Sequence, residues 1–330
     1  MTRMFVDAWD PSYGASFEGD SPDGPASPSS AQVDTDVEVP AAQWAPIDVS
    51  ARVRCPDVVF LVDGVRRNDA GLWTAEDDGM SYAGLAASYA AGVVRCDLRH
   101  GVAELVGARV ARGLFTASPS AEDLQAGSVR YAVHRVNGTG EASKLPAAVQ
   151  GPLTALEIDI SGAARDGGSD GADLLVVDGP LRNRRQLPRT IGFVKTQQKQ
   201  YLPPALTAVV TSLKPAQRTP VFQLGTVWGG WSWYLRLPGA SGAPWSGIVR
   251  IECSPDLTPA EAVELAELSS ATLPRFASSS YKDPRAPQNL VPIAGLERRL
   301  RGMLGDARVL HRALALATAR SRSAAGPVNR

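Results

Sequence analysis

The chain has 330 residues, 44% of them hydrophobic, and its 34 Lys+Arg balance 34 Asp+Glu to a formal net charge of zero. That balance excludes a generally cationic nucleic-acid coat, and the apolar content suffices for a substantial core in one large or two smaller domains. Cys55, Cys96 and Cys253 form neither a CxxC pair nor a disulfide framework, which argues against a structural zinc site and for a reducing cytoplasm.

The charge is unevenly spread. Residues 1–50 carry nine Asp/Glu and one Arg, and residues 281–330 carry ten Lys/Arg and three Asp/Glu. Residues 15–40 are rich in Ser, Pro, Asp and Gly, which predicts a flexible acidic segment or an arm that orders against a partner, with Trp9 and Tyr13 before it as anchors. Asp7 follows Met1–Val6 at once and leaves no signal-peptide core, and no apolar stretch approaches a membrane span.

The first strong element is Val58-Val-Phe-Leu-Val-Asp63-Gly64, a continuous apolar run that predicts a strand over 58–63, buried on both faces. Two more strands are expected at 89–97 and 103–115, joined by a turn near Arg99-His100-Gly101. Residues 128–136 suit a strand or a helix. Pro152 suits the first turn of a helix reaching about Ala164. Leu174-Leu-Val-Val-Asp178-Gly179 repeats the pattern of an apolar run closed by Asp-Gly, and Ile191-Gly-Phe-Val-Lys195 predicts a further strand. A helix at 206–213 is followed by strands at 221–224, 231–237 and 248–253 and by helices at 259–270, 290–303 and 306–319. Trp228, Trp231, Trp233 and Trp245 fall among the late strands, where a sheet face or local core accounts for them better than base stacking.

An Asp directly after a buried strand stands at the sheet's edge, and two such carboxylates can converge on one divalent cation. Asp-Gly is also a common turn dipeptide. Two glutamates stand where carboxylates are costly. Glu157 falls on the stripe Leu153, Leu156, Ile160 and Ala164 if 152–164 is a helix. The same residues alternate like a half-buried strand, in which Glu157 is simply solvated. Glu297 falls among Ile293, Leu296, Leu300 and Leu304, and an ion pair with Arg301 accounts for it as well as metal binding does. Between Arg182 and Lys199 there are six basic residues and no acidic ones. Arg182, Arg184, Arg185, Arg189 and Lys199, with Arg66 and Arg67 after the first Asp-Gly, are the candidate DNA-backbone contacts; each alone is accounted for by solvation, but the run favours a phosphate-facing loop.

Strand–Asp63, two-strand hairpin, helix–Glu157, strand–Asp178 and a later helix–Glu297 is the element order of the RNase H-like fold. Through Phe60-Leu-Val-Asp-Gly64, Val176-Val-Asp-Gly-Pro-Leu181, Ile191-Gly-Phe-Val-Lys195 and Val249-Arg-Ile-Glu-Cys253, the chain resembles the NurA nuclease family over about 58–310. It departs from that family in having Val65-Arg66-Arg67 where a Ser usually follows Asp-Gly. The family's Tyr-Pro and its metal-associated His or Asp also lack a clear counterpart: Tyr281, Pro284–Leu290 and then Glu297 stand there, with His311 the next candidate ligand.

The resemblance implies an α/β fold with an RNase H-like mixed central sheet flanked by helices, plus additional C-terminal strands and helices. It implies an acidic, partly flexible arm over 1–50 and a nuclease domain over 51–330. The implied activity is metal-dependent DNA cleavage, with 5′–3′ exonuclease and single-strand endonuclease action in DNA end processing. Two Mn2+ or Mg2+ ions are implied, held by Asp63, Glu157, Asp178 and Glu297, with Lys195 near the cleaved phosphate. A HerA-like hexameric ATPase and a second copy of the chain are the implied partners. Two other classes stay open: a catalytically weak or inactive RNase H-like module that binds DNA and partners the ATPase, and an RNA-binding protein whose acidic residues are structural.

Overall fold

The computed structural model describes residues 32–137, 141–166, 172–181, 187–197, 199–225, 230–240 and 242–324. In chain order the elements are β1 (Gln32–Asp34), β2 (Val58–Ala75), β3 (Ser81–Asp97), β4 (Val102–Thr116), β5 (Leu124–Ala126), β6 (Val129–Arg135), α1 (Leu145–Ala148), α2 (Gln150–Asp166), β7 (Leu174–Asp178), β8 (Thr190–Val194), α3 (Pro204–Ser212), β9 (Phe222–Gly225), β10 (Trp231–Arg236), β11 (Ile248–Cys253), α4 (Pro259–Thr272), α5 (Val291–Met303) and α6 (Ala307–Ala324). This is a mixed α/β protein with a large mixed sheet and helices. The chain divides into two units: Met1–Val62, Val94–Glu104 and Gly168–Gly295 make one, and Asp63–Val93, Leu105–Gly167 and Leu296–Arg330 the other.

In the first unit the strand order is β1-β9-β10-β11-β8-β7-β2. The start of β2 runs parallel to β7, and β7 parallel to β8, while β8–β11, β11–β10, β10–β9 and β9–β1 are antiparallel. Phe60, Leu61 and Val62 in β2 and Leu174–Val177 in β7 are almost wholly buried, as continuous apolar runs in a parallel pair must be. Leu206 and Val210 of α3 join Trp44, Phe222, Tyr234 and Ile248 in one core cluster. Thr258 and Glu261 cap α4 reciprocally, satisfying donors that its first turn leaves open.

Part of the expected acidic arm is built into this unit. Gln32–Asp34 adds β1 to the sheet through β9. Arg218, with a side chain only 2% exposed, bonds Glu38 at 2.8 and 2.9 Å and Glu267 at 2.6 Å. A buried guanidinium needs such partners to offset its desolvation. Trp9 and Tyr13 lie outside the described residues.

In the second unit the strand order is β2-β3-β4-β6-β5. β4 and β6 are parallel, and β5 and β6 antiparallel. β3 is buried at most positions and has seven Ala and Gly among its 17 residues. Those small residues let helices close in. A Cβ added to Gly92 would lie 2.9 Å from Leu296 and 3.0 Å from Leu300 of α5, and in the neighbouring β4 one added to Gly107 would lie 3.1 Å from Ile160 of α2. Leu314 of α6 packs with Ala126 and Tyr131.

Most expected elements are present, with one correction and two open alternatives decided. The first strand does not stop at Asp63 but runs on to Ala75 as β2. Its second half looks like a loop because it carries Arg66, Arg67, Asn68 and Asp69. Asp69 is buried, and Ser88 Oγ (2.5 Å), Tyr131 O–H (2.9 Å) and Arg67 Nε (2.9 Å) all donate to it, so the strand continues without an unsatisfied carboxylate. Residues 129–135 are a strand, and 156–161 are helical. Trp231 and Trp233 are buried, Trp233 donating to Ser269 Oγ at 3.1 Å, and Trp245 meets Tyr234 edge-on; Trp228 lies outside the described residues.

Candidate functional site

In the first unit the site begins at Asp178, the last residue of β7. Its Oδ2 accepts from Lys195 Nζ at 2.7 Å, and the two side chains are 9% and 13% exposed. Its Oδ1 is buried and accepts no hydrogen bond among the described residues. Lys195 follows β8 directly, so two parallel neighbours, β7 and β8, place the pair at one end of the sheet. The ammonium also donates to Asn289 Oδ1 at 3.0 Å, and Asn289 Nδ2 donates to Asp283 Oδ2 at 2.6 Å. Asn289 is wholly buried just before α5.

The loop after Asp178 is tightly held. Gly179 has φ +102, which an L side chain rarely adopts. Gly179 N–H donates to Phe193 O at 2.9 Å, and Leu181 N–H donates to Glu252 Oε1 at 2.5 Å. The other Glu252 oxygen accepts from Arg250 at 2.6 Å. Burial by itself would depress the Arg250 pKa, but Glu252 and the nearby Tyr234 and Tyr201 hold it above its ordinary value. This loop leads into the basic segment, of which Arg182, Arg184 and Arg185 lie outside the described residues. Arg189 donates to the carbonyls of Asp173 and Ala172, and Lys199 is exposed.

In the second unit Asp63 is 7% exposed within β2. A carboxylate oxygen of Asp63 and one of Glu297 on α5 lie within 4.8 Å of each other. Glu157, also 7% exposed, extends from α2 over Gly64: a Cβ there would fall inside contact distance of Glu157 Oε1 and 2.7 Å from Leu153 Cδ1. Gly64 is therefore the opening through which α2 brings a carboxylate against the residue after Asp63. Asp159 faces elsewhere, 3.9 Å from Arg109. Arg66 is exposed and donates to Pro146 O and Gln150 Oε1. Arg67 donates to Gly305 O and Leu304 O, caps for the last carbonyls beyond α5.

Within the first unit Val62 pairs with Val177 across the parallel strands β2 and β7, and Asp178 is the next residue of β7. Its Oδ1, without a hydrogen bond among the described residues, is an acceptor of the kind that a hard divalent cation takes.

Asn289, Asp283 and Glu252 escape sequence reading. Asp283 and Asn289 lie in an irregular segment with no periodicity to mark them. Glu252 alternates in β11 like any half-buried strand residue. The one available signal is the Gln288-Asn289 pair between Pro287 and an apolar helix start, an amide pair in a position where burial demands partners.

No family model and no curated protein matches this chain. Among solved structures, the chain is similar to Endonuclease V from Bacillus subtilis at 12% identity and a TM-score of 0.33, over 75% of this chain and 80% of that one. It is likewise similar to the catalytic domain of human Endonuclease V at 15% identity and a TM-score of 0.31, over 80% and 90%. At those scores the shared geometry is too small to carry fold or activity across. Among the described residues, no helix is long and apolar enough to cross a membrane.

Proposed function

We propose that this protein is a metal-dependent deoxyribonuclease of RNase H-like, NurA-like type, with Asp63, Asp178 and Glu297 holding a divalent cation and Glu157 completing the acidic set. The observation that carries this reading is the approach of the Asp63 and Glu297 carboxylates within the second unit, with Glu157 over Gly64 beside them. In the first unit the buried Asp178 Oδ1, without a hydrogen bond among the described residues, supports it. Mn2+ or Mg2+ bound there supplies Lewis acidity for water attack on a phosphodiester and charge neutralisation at the leaving oxygen. The chain's own contribution is to fix the carboxylates on rigid strands and helices. Lys195 holds a positive charge beside Asp178, and the segment from Arg182 to Lys199 supplies backbone contacts for DNA.

The same reading includes 5′–3′ exonuclease and single-strand endonuclease action in DNA end processing, a cytoplasmic location, a HerA-like hexameric ATPase as partner and a homodimer. The test is incubation of the purified chain with end-labelled single- and double-stranded DNA in Mn2+, Mg2+ or EDTA. Cleavage in metal and none in EDTA is expected; no cleavage of either DNA in either metal leaves a non-catalytic DNA-binding module. Reversing Arg184 and Arg185 to Glu should weaken DNA binding and flatten its log–log salt slope by about two units, since fewer counterions are released. Glu297→Gln should cut the rate severely and raise the metal needed for half-activity. A surface pair with Arg301, worth about 0.3–0.5 kcal/mol, instead predicts no change in either.

A further inference from the structure

Asp178 has two different oxygens, and the difference bears on how many ions the centre takes. Oδ2 already holds a cation, the Lys195 ammonium at 2.7 Å. Oδ1 is buried without a hydrogen bond among the described residues. The ammonium is itself fixed from behind. Asp283 is an acceptor only, so the Asn289 amide must turn its Nδ2 to Asp283 Oδ2, which it does at 2.6 Å. Its carbonyl oxygen is thereby forced to face Lys195 Nζ, 3.0 Å away. Asn289 is 0% and Asp283 8% exposed, so water does not readily replace either partner. Asp283 is tied in turn by Arg285, whose backbone N–H donates to Oδ1 at 2.8 Å.

We propose that Asp283 and Asn289 clamp Lys195 onto Asp178 Oδ2 as a built-in cation, so that the centre takes one divalent ion per chain, through Asp178 Oδ1, instead of the pair that a fully open carboxylate would bridge. The proposal rests on the metal-nuclease reading above. Lys195 supplies beside Asp178 the positive charge that a second ion would otherwise bring. Asn289 and Asp283 are positioning residues that touch neither ion nor substrate. Displacing the ammonium would part a mostly buried charge from the Asp178 carboxylate it is bonded to, so a second metal ion competes at a disadvantage.

The test is Mn2+ binding to the purified full-length chain, without DNA, by calorimetry and by loss of the free-ion paramagnetic resonance signal. Wild type is expected to bind one equivalent. Lys195→Met should bind a second equivalent, or tighten the first about tenfold, because a nearby positive charge is gone. Lys195→Arg should restore single occupancy. Asn289→Leu, checked for folding by circular dichroism, should shift Mn2+ affinity in the direction of Lys195→Met, since the ammonium is no longer fixed. Two equivalents in wild type would overturn the clamp and leave the nuclease reading standing. No binding at all would remove both. Unchanged stoichiometry and affinity in folded Lys195→Met would overturn the clamp alone.

Discussion

The two Asp-Gly pairs are identical as dipeptides and opposite in structure. Gly179 follows Asp178 at a strand end with φ +102, and a Cβ there would meet nothing within 4 Å. It is present for its backbone freedom. Gly64 follows Asp63 inside an unbroken strand, and a Cβ there would strike Glu157 Oε1 and Leu153. It is present for its lack of a side chain. One glycine lets the chain turn away after a carboxylate; the other lets a second carboxylate approach. A turn signal in a sequence can thus mark a place where a helix closes on a strand.

The aspartates differ in the same way, and the largest predicted effects follow from that. Asp63→Ala and Asp178→Ala should each reduce cleavage to background, but only Asp178→Ala should lose stability. Asp178→Ala leaves the mostly buried Lys195 ammonium without its carboxylate and should cost about 3 kcal/mol in urea unfolding. Asp63→Ala removes one of two neighbouring carboxylates and should leave stability equal or higher in metal-free buffer. Equal losses in both variants would erase the distinction.

The glycines give the next effect. Gly64→Ala should cost about 3 kcal/mol through overpacking, and Gly179→Ala about 1–2 kcal/mol through backbone strain. Thermal unfolding of both variants ranks them, and the reverse order would contradict the close approach of Glu157. The smallest effect is a coupling. Adding Glu157→Ala to Gly64→Ala should recover roughly 1 kcal/mol relative to the sum of the single changes, because one of the two clashes is gone. Strictly additive costs would place the Glu157 carboxylate away from Gly64.

These contrasts also explain what the sequence made legible. Periodicity marks Glu157 and Glu297 as charges on the apolar stripes of α2 and α5, and α2 does bury Glu157. Apolar runs were enough for β7 and the start of β2. The continuation of β2 was hidden because its buried Asp69 is satisfied by Ser88 and Tyr131, residues 19 and 62 positions away. Asn289 and Asp283 were hidden because their meaning lies in what they hold, and a hydrogen-bonded chain between an irregular segment and a strand end has no sequence period. The acidic composition of residues 1–50 predicts an arm without showing that Glu38, one of its described residues, meets buried Arg218.

The most direct test of the central claim, that Asp63, Asp178 and Glu297 hold one divalent cation, is to map the ion on the chain itself. Fe2+ with ascorbate and peroxide generates hydroxyl radicals where the ion sits, and mass spectrometry locates the resulting backbone cuts. The account predicts cuts clustered near residues 63–64, 178–179 and 297, suppressed by excess Mn2+ and lost in Asp178→Ala. Cuts spread along the chain, or clustered elsewhere and insensitive to Mn2+, would contradict it.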